Sequence, residues 1–376
     1  MTEPLIPNFT RREFLKSAAG CLLAAGIPGC VSKPSRTQNA RKGNLMQTVL
    51  PRWRGFNVHN MFFSGKYQPF REDDFKWIAD WGFDYVRISV AYQQVVVGGD
   101  CYTANESGLA EVDRGLELAR KHNLHACLDM HTAPGYAYHE SEDVGGFDLW
   151  KDKAAQDAFY HLWQVYAKRY HTIPNSQLSF NILNEPALEI GKMTREEHAN
   201  VIRKAVAAIR GITPDRLMIA DGLEWASEPC PELADLGIAQ SGHFYAPHHL
   251  THYRAQWGGA EVMKLPQPVW PGIKMGGERW DRGVLQRHLQ PWFDLAGRGI
   301  GVHFNEGGVY NKTPHSVALG WLRDTLELLK EHNIGYGLWN FRGPFGILDS
   351  GRADVAYEDF HGHKLDRKML ELLQAV

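Results

Sequence analysis

Short apolar runs alternate with amphipathic helical patterns along this chain, and that alternation restricts the fold more than any other feature. The first run, residues 53–58, precedes a helical pattern over 71–81 that places Phe75 and Ile78 on one face. Gly82 ends this helix, and a second run follows at residues 83–89. Strands that alternate with helices form parallel sheets, because each helix carries the chain back to the start of the next strand.

The later runs repeat the pattern to the end of the chain. They predict strands at residues 124–130, 178–186, 217–220, near 242–246, 302–305 and 335–339. The fourth long helix begins with a capping box, Thr194 with Glu197 three residues later. Eight strand–helix alternations in 376 residues predict an α/β fold made of a single (β/α)8 barrel. An insertion at 247–283, which contains three tryptophans, separates the sixth and seventh strands.

Two glutamates lie where predicted strands end. The strand that starts at Leu178 must stop at Pro186, because proline has no N–H to donate within a central strand. Glu185 therefore lies at its carboxyl end, where parallel barrels carry their active sites, and Glu306 ends the seventh strand in the same way. Either glutamate alone is more simply a solvated surface charge. As a pair, they are what the hydrolysis of a glycosidic bond requires.

Other polar and aromatic residues accompany this pair in a specific order. They are Arg87, His131 within residues 129–135, Asn184 directly before Glu185, His243, Tyr245, Glu306 and Trp339. With these motifs the chain resembles family 5 of the glycoside hydrolases, over about residues 53–373. The resemblance implies that Glu185 is the acid/base and Glu306 the nucleophile of a retaining mechanism.

The resemblance also implies roles near the nucleophile. Arg87 would keep Glu306 ionised through a charge-assisted bond, and Tyr245 would donate a hydrogen bond to it. Without the resemblance, an exposed ion pair would explain Arg87 as simply. The chain departs from the family at Asn305, because members often have glycine before the nucleophile. This departure leaves the implied role of Glu306 intact and predicts different hydrogen bonding around it.

Substrate-facing roles follow from the same resemblance. Asn184 would bind the sugar 2-hydroxyl, and Trp339 would form an apolar floor beneath the sugar. His131 and His243 would line the site and orient the acid/base. The alternative explanations are core histidines with satisfied hydrogen bonds and a tryptophan packed in the core.

Three further residues are weaker candidates for substrate binding. Asn57 and His59 follow the first strand and are within reach of sugar hydroxyls if that strand ends at the cleft. Trp225 follows the fifth strand and is a candidate platform for another sugar ring. Each of them is explained as simply by packing.

A metal site is the weaker interpretation of the histidines that follow the sixth strand. His248, His249 and His252 lie in a loop without a supporting carboxylate, and the resemblance already explains His243. A zinc hydrolase built on these histidines is accordingly disfavoured. We predict no metal and no organic cofactor.

The amino-terminal residues predict export. Residues 10–16 match the twin-arginine pattern through Arg11 and Arg12, and residues 17–28 supply the short apolar segment of a signal peptide, so residues 1–30 form the leader. Residues 27–30 resemble a lipobox ending at Cys30, although Pro28 is an unusual residue there, and lipid anchoring and simple cleavage both stay open. The polar residues 31–50 predict a tether, and residues 51–376 the catalytic domain.

Cysteine usage adds little to this description. Outside the leader the chain has Cys101, Cys127 and Cys230, an odd number without metal-binding spacing. Cys127 lies inside an apolar strand and predicts a small core residue. Nothing in the sequence supports a disulfide between Cys101 and Cys230.

These observations predict an exported, monomeric, retaining β-glycoside hydrolase that acts on β-linked polysaccharide or oligosaccharide, in the periplasm, outside the cell or at its surface. An endo-β-1,4-glucanase is favoured, and a mannanase, a β-1,3-glucanase and an exo-acting glycosidase are the alternatives. The insertion at 247–283 would favour exo action if it closed one end of the cleft. A non-catalytic carbohydrate-binding protein is disfavoured, because both carboxylates are present. The net charge of -2 gives no basis for nucleic-acid binding.

Overall fold

The computed structural model describes residues 48–65, 67–138 and 144–376. Eight parallel strands in these residues form a closed barrel in which each strand pairs with its neighbours in the chain. The strands are β1 (Arg54–Met61), β2 (Tyr85–Ala91), β3 (His125–Thr132), β4 (Leu178–Asn181), β5 (Met218–Asp221), β6 (Ala239–Phe244), β7 (Val302–Gly307) and β8 (Gly335–Leu338). The predicted single (β/α)8 barrel is confirmed.

Long helices surround the barrel on its outer side. They are α1 (Glu72–Asp80), α2 (Glu106–Lys121), α3 (Lys153–Arg169), α4 (Arg195–Arg210), α5 (Arg282–Gly297), α6 (His315–Glu331) and α7 (Arg367–Ala375). The capping box at the start of α4 is present, with Thr194 accepting from the Glu197 backbone and the Glu197 side chain accepting from the Thr194 backbone. This reciprocal pair satisfies two of the backbone donors that a helix start leaves free.

The connection between β5 and β6 departs from the predicted regular alternation. It contains only the short helix Leu223–Ala226 and the 3-10 helix Pro231–Leu236. Glu224, Trp225 and Ala226 have φ angles of 53°, 54° and 58°, which turn the chain sharply and leave too few residues for a long helix. The strand predicted near residues 242–246 also begins earlier, at Ala239.

The amino-terminal end of the barrel is filled by stacked rings. Trp53 lies on His125 with ring centroids 3.5 Å apart, and Tyr85 lies against His303 at 4.6 Å. Cys127 is completely buried beside them, as predicted for a core residue. Because these side chains plug one end of the barrel, polar groups in its interior are accessible only from the carboxyl ends of the strands.

The insertion packs beside the barrel. His252 contacts Tyr245 after β6, and Trp257 contacts Tyr310 after β7, with centroid distances of 5.0 and 4.7 Å. Further along, Trp270 donates through Nε1 to Asp324 of α6 at 2.8 Å. These contacts hold the insertion against the loops after β6 and β7 and against the outer helices.

The predicted leader and all but the last three residues of the predicted tether lie outside the described residues. Among the helices that the structure describes, none combines the length and apolar character needed to cross a bilayer. Cys101, Cys127 and Cys230 are free and buried, so the described part of the chain contains no Cys101–Cys230 disulfide.

Candidate active site

The carboxyl ends of β4, β6 and β7 bring Glu185, His243 and Glu306 together. One oxygen of each glutamate and one nitrogen of His243 all lie within 4.8 Å of one another. All three residues are at least nine-tenths buried. Two carboxylates that are 121 positions apart in the sequence therefore share one water-poor site with a histidine between them.

Glu306 accepts two hydrogen bonds, one from a side chain of β2 and one from the residue directly after β6. Arg87 donates through Nη1 to its Oε2 at 3.0 Å, and the Tyr245 hydroxyl donates to its Oε1 at 2.8 Å. Burial raises the pKa of Glu306 to about 7, while the positive charges of His243 and Arg87 act in the opposite direction. Burial thus disfavours the ionised form of Glu306, and two hydrogen-bond donors stabilise it.

A register irregularity lets both Asn305 and Glu306 reach the barrel interior. The pairing of β7 with β6 shifts between Phe304 and Glu306, so the strict alternation of side chains is interrupted at Asn305. The Asn305 amide donates to Asn181 at 3.0 Å and accepts from the Tyr85 hydroxyl at 2.9 Å. A glycine at this position could not make these two side-chain hydrogen bonds.

Glu185 occupies an unusual backbone conformation. Its φ angle is 48°, in the left-handed region that non-glycine residues avoid. Its N–H donates to Asp221 Oδ2 at 3.1 Å, and its carbonyl accepts from the Tyr136 hydroxyl at 3.0 Å. That hydroxyl also accepts from the Ala187 N–H at 2.9 Å, so the turn is fixed on both sides. The Glu185 side chain points at His243, whose Nδ1 lies 2.7 Å from Oε1.

Arg87 is completely buried and contacts three carboxylates of the site. Besides Glu306, its guanidinium makes ion-pair contacts with Asp129 at 3.0 Å and with Asp221 at 3.7 Å. It also donates to the Asn184 Oδ1 at 2.8 Å. Burial opposes its charge, but the three carboxylates together raise the pKa of Arg87 above its usual value. Arg87 therefore acts on the site through its neighbours and has no surface for a substrate.

Replacing Arg87 with Met should lower the free energy of unfolding by about 3–5 kcal/mol, because buried carboxylates would lose their partner. Urea denaturation at pH 7 measures the difference. Arg169→Met is the matched control: Arg169 pairs with Asp113 at 2.7 Å but is partly exposed, so its loss should cost no more than about 1 kcal/mol. Equal losses in the two variants would contradict the central role of Arg87.

Trp339 directly follows β8, where its N–H donates to the carbonyl of Gly307 at 2.7 Å, and its side chain is half-buried. His59 packs at a ring-centroid distance of 3.8 Å from it, and His131 stacks on it at 5.6 Å with 21° between the ring planes. Burial lowers the pKa of His59 to about 3, so this imidazole is neutral. Together with the partly exposed face of Trp339, these rings form an aromatic surface of the kind on which sugar rings stack.

Two of the predicted roles need correction. Asn57 has no exposed surface, and its amide donates to the carbonyls of Asn305 and Leu338 at 2.9 Å each and accepts from Arg87. It was expected to contact sugar hydroxyls, and that expectation is wrong because its polar atoms are buried and bound to the protein. His131 was expected to orient the acid/base, but its contacts are with Trp339 and, through Nδ1, with Asp129 at 2.9 Å.

Trp225 lies at the rim of the site. The left-handed turn after β5 leaves it half-buried, and its Nε1 donates to the Tyr138 carbonyl at 3.3 Å. This bond connects the loop after β3 with the loop after β5. The ring is therefore held in place with part of its surface exposed.

The sequence patterns did not single out Asp221 or Asn181. Asp221 ends β5 just as Glu306 follows an apolar run in β7, so the same strand-end argument would have found it. Asn181 is the last residue of β4 in the structure, but the apolar run predicted a strand that continues to Pro186, so Asn181 did not stand out as a strand end. It accepts from Arg87 Nε at 2.9 Å and donates to Asp221 Oδ1 at 2.9 Å.

Among the residues that the structure describes, His248, His249 and His252 do not meet a third ligand closely enough to form a group that could hold a metal ion. In the described residues, the group whose ligand atoms approach one another closely enough is Glu185, His243 and Glu306. His248 and His252 stack on each other at 4.9 Å, and burial lowers the pKa of both.

A parallel barrel with two close carboxylates at its strand ends, beside an aromatic surface, defines the protein as a glycoside hydrolase. More particularly, the chain belongs to the cellulase family, glycosyl hydrolase family 5, whose family model matches residues 41–343.

Known proteins resemble the chain over most of its length. Endoglucanase C of Acetivibrio thermocellus is 28% identical over 311 residues, which are 76% of this chain and 88% of the relative. Cellodextrinase A of Ruminococcus flavefaciens is 28% identical over 280 residues, 70% of this chain and 76% of the relative. A crystal structure described as that of a glycoside hydrolase is 39% identical, with a TM-score of 0.82, and covers 86% of this chain and 99% of its own.

Proposed function

We propose that the protein is a retaining β-glycosidase with Glu306 as the nucleophile and Glu185 as the acid/base. The observation that carries this proposal is the separation of the two carboxylates, whose nearest oxygens lie within 4.8 Å. Retaining enzymes hold their carboxyl groups about 5–5.5 Å apart, whereas inverting enzymes need about 6.5–9.5 Å to admit a water between carboxylate and sugar.

The proposed mechanism consists of two displacements. In the first, a Glu306 oxygen attacks the anomeric carbon, the bond to the leaving oxygen breaks, and Glu185 transfers its proton to that oxygen. In the second, Glu185 takes a proton from water, the water oxygen bonds to the anomeric carbon, and Glu306 leaves as a carboxylate. The donors on Glu306, Arg87 and Tyr245, stabilise the charge that it regains.

Asn184 is suited to recognise the sugar next to the nucleophile. Arg87 fixes its Oδ1, which leaves the Nδ2 group of this buried amide without a hydrogen-bond partner among the described residues. Unpaired buried donors are unfavourable, so a substrate hydroxyl that accepts from Nδ2 would be bound strongly. We assign this donor to the sugar 2-hydroxyl, with Trp339 as the floor beneath the ring and Trp225 as a platform on the leaving-group side.

The proposed substrate is β-1,4-glucan, cleaved internally. The names of two relatives, an endoglucanase and a cellodextrinase, support a β-1,4-glucan substrate. Mannan, β-1,3-glucan and exo action are the alternatives. Trp270 of the insertion is bound to outer helix α6, but His252 and Trp257 pack against Tyr245 and Tyr310 beside the site, so the insertion leaves exo action as an alternative.

The experiment is hydrolysis of a panel of β-linked polysaccharides, with product anomers followed by NMR from the first minutes. We expect carboxymethylcellulose to lose viscosity much faster than reducing ends accumulate, and cello-oligosaccharides to give the β-anomer first. Initial α-anomer would overturn the retaining mechanism. Faster cleavage of mannan would replace β-1,4-glucan as the proposed substrate. Release of single sugars without loss of viscosity would replace internal cleavage with exo action.

We also propose export by the twin-arginine route. The support is the pair Arg11 and Arg12 ahead of a short apolar segment. Changing both arginines to Lys should leave the protein in the cytoplasm, which fractionation measures. Cys30→Ser then separates the two modes of processing. If the wild type stays on the membrane and only Cys30→Ser is released, the protein is a lipoprotein. If the wild type and Cys30→Ser are both released, the leader is simply cleaved.

A further inference from the structure

Asp221 is a buried carboxylate for which the two displacements have no use. It ends β5 with 1% of its surface exposed. Its Oδ2 accepts from the Glu185 N–H at 3.1 Å and lies 3.2 Å from His243 Nε2, in an ion-pair contact too bent for a hydrogen bond. Its Oδ1 accepts from Asn181 at 2.9 Å. Asp221 thus contacts both the backbone of Glu185 and the histidine that holds the Glu185 side chain.

We propose that Asp221 is a positioning residue for proton transfer by Glu185, acting through the Glu185 backbone and through the charge of His243. This inference rests on the proposed role of Glu185 as acid/base. It predicts that in kcat/KM, which reports the first displacement, Asp221 matters far more for substrates whose leaving group needs a proton than for those whose leaving group departs without one.

The backbone contact orients the acid/base. Glu185 keeps a left-handed φ of 48°, which requires contacts that outweigh its intrinsic cost. The N–H of Glu185 is bound by Asp221, and its carbonyl by Tyr136. Loss of the Asp221 bond would leave the turn fixed on one side only, so the Glu185 carboxyl group would sample directions away from the glycosidic oxygen.

The second contact, between Asp221 and His243, favours the protonated form of His243. Its Nδ1 lies 2.7 Å from Glu185 and 3.8 Å from Glu306, and its Nε2 faces Asp221. Burial opposes the positive charge of His243, but Glu306 and Asp221 together raise its pKa to about 10. Burial also opposes the charge of Asp221, but His243 and Arg87 lower the pKa of Asp221 to about 2. A protonated His243 can only donate through Nδ1, which fixes its hydrogen bond to Glu185.

Asparagine cannot replace Asp221 in these contacts. The neighbours of its two oxygens are the Glu185 N–H, the Asn181 amide NH2 and the positive charges of His243 and Arg87. An amide would turn one oxygen into an NH2 group that faces a donor. Asn181 cannot easily rotate to compensate, because its Oδ1 already accepts from Arg87 and Asn305.

The test is kcat/KM for a series of aryl β-cellobiosides whose leaving phenols differ in acidity. Dinitrophenolate departs without a proton, whereas unsubstituted phenol needs one. Asp221→Asn should lose about 100-fold on the phenyl substrate and less than about 5-fold on the dinitrophenyl substrate, so its rates should depend more steeply on the leaving group. Asp366→Asn is the matched control: this buried aspartate caps α7 through Met369, and its loss should reduce stability and leave the slope unchanged.

The outcomes separate this inference from the proposed function. Glu185→Gln should give the steepest slope of all, and a wild-type slope there would reject Glu185 as the acid/base. If Glu185→Gln is steep and Asp221→Asn loses equally on every substrate, the positioning role is wrong while the proposed function stands. Should Asp221→Asn not fold, Asp221→Glu keeps the charge but displaces the carboxylate, so a steeper slope is again expected and an unchanged slope would overturn the inference.

Discussion

Replacing Glu306 with Gln should lower kcat/KM for an aryl β-cellobioside by roughly 10⁴- to 10⁶-fold, the range seen when an enzyme loses its nucleophile. The amide has nearly the same shape and can still accept from Arg87 or Tyr245, so the fold should persist. However, it cannot form the covalent intermediate. The loss should be equal for good and poor leaving groups, because the attack itself is removed.

A direct measurement accompanies the kinetics. A 2-deoxy-2-fluoro β-cellobioside with a dinitrophenyl leaving group should label the wild-type protein, and mass spectrometry should find the sugar on the peptide that contains Glu306. Glu331→Gln is the matched control, since this glutamate is exposed at the end of α6 and pairs with Arg282. It should keep full activity and full labelling. Labelling of a different carboxylate would reject Glu306 as the nucleophile.

The pKa of Glu306 predicts how kcat/KM depends on pH. Burial raises the pKa of Glu306 to about 7, and a nucleophile must be ionised to attack. Because the protonated form dominates below that value, kcat/KM should fall about tenfold per pH unit as the pH drops below 7. Rates on the dinitrophenyl substrate isolate this ionisation from that of the acid/base. A flat profile from pH 8 to pH 5 would contradict the raised pKa.

Replacing Glu185 with Ala should have the second largest effect, and a different one. Loss of the general acid should cost about 10²–10⁴-fold on substrates with poor leaving groups, while dinitrophenyl substrates still form the glycosyl–enzyme. The intermediate should then accumulate, because no base activates water. Azide needs no base and can occupy the space left by the side chain, so it should restore turnover.

The product of that rescue identifies the residue. A β-cellobiosyl azide would mean that azide attacks from the face where Glu185 normally activates water, and an α-azide or no rescue would reject the assignment. Glu189→Ala, a change of an exposed glutamate in the short helix Leu188–Gly191 just after Glu185, should behave as the wild type with and without azide.

Much of the fold could be predicted because it depends on local patterns. Apolar runs and helical periodicity depend on nearby residues, and they were sufficient for eight strands and for the capping box at Thr194. The pattern was less reliable at the connection after β5. There Glu224, Trp225 and Ala226 take left-handed φ angles, which no residue preference in that stretch predicts.

By itself, the sequence determined the barrel and the position of Glu185 and Glu306 at strand ends, since Pro186 and the apolar runs act locally. Only the tertiary structure decided which polar side chains meet. Barrel closure buries Asn57 behind Arg87, and the irregularity at Asn305 turns two consecutive side chains inward. It also places Asp221 beside the backbone of Glu185. These contacts join residues far apart in the chain through strand register, and register is set by the closed sheet as a whole.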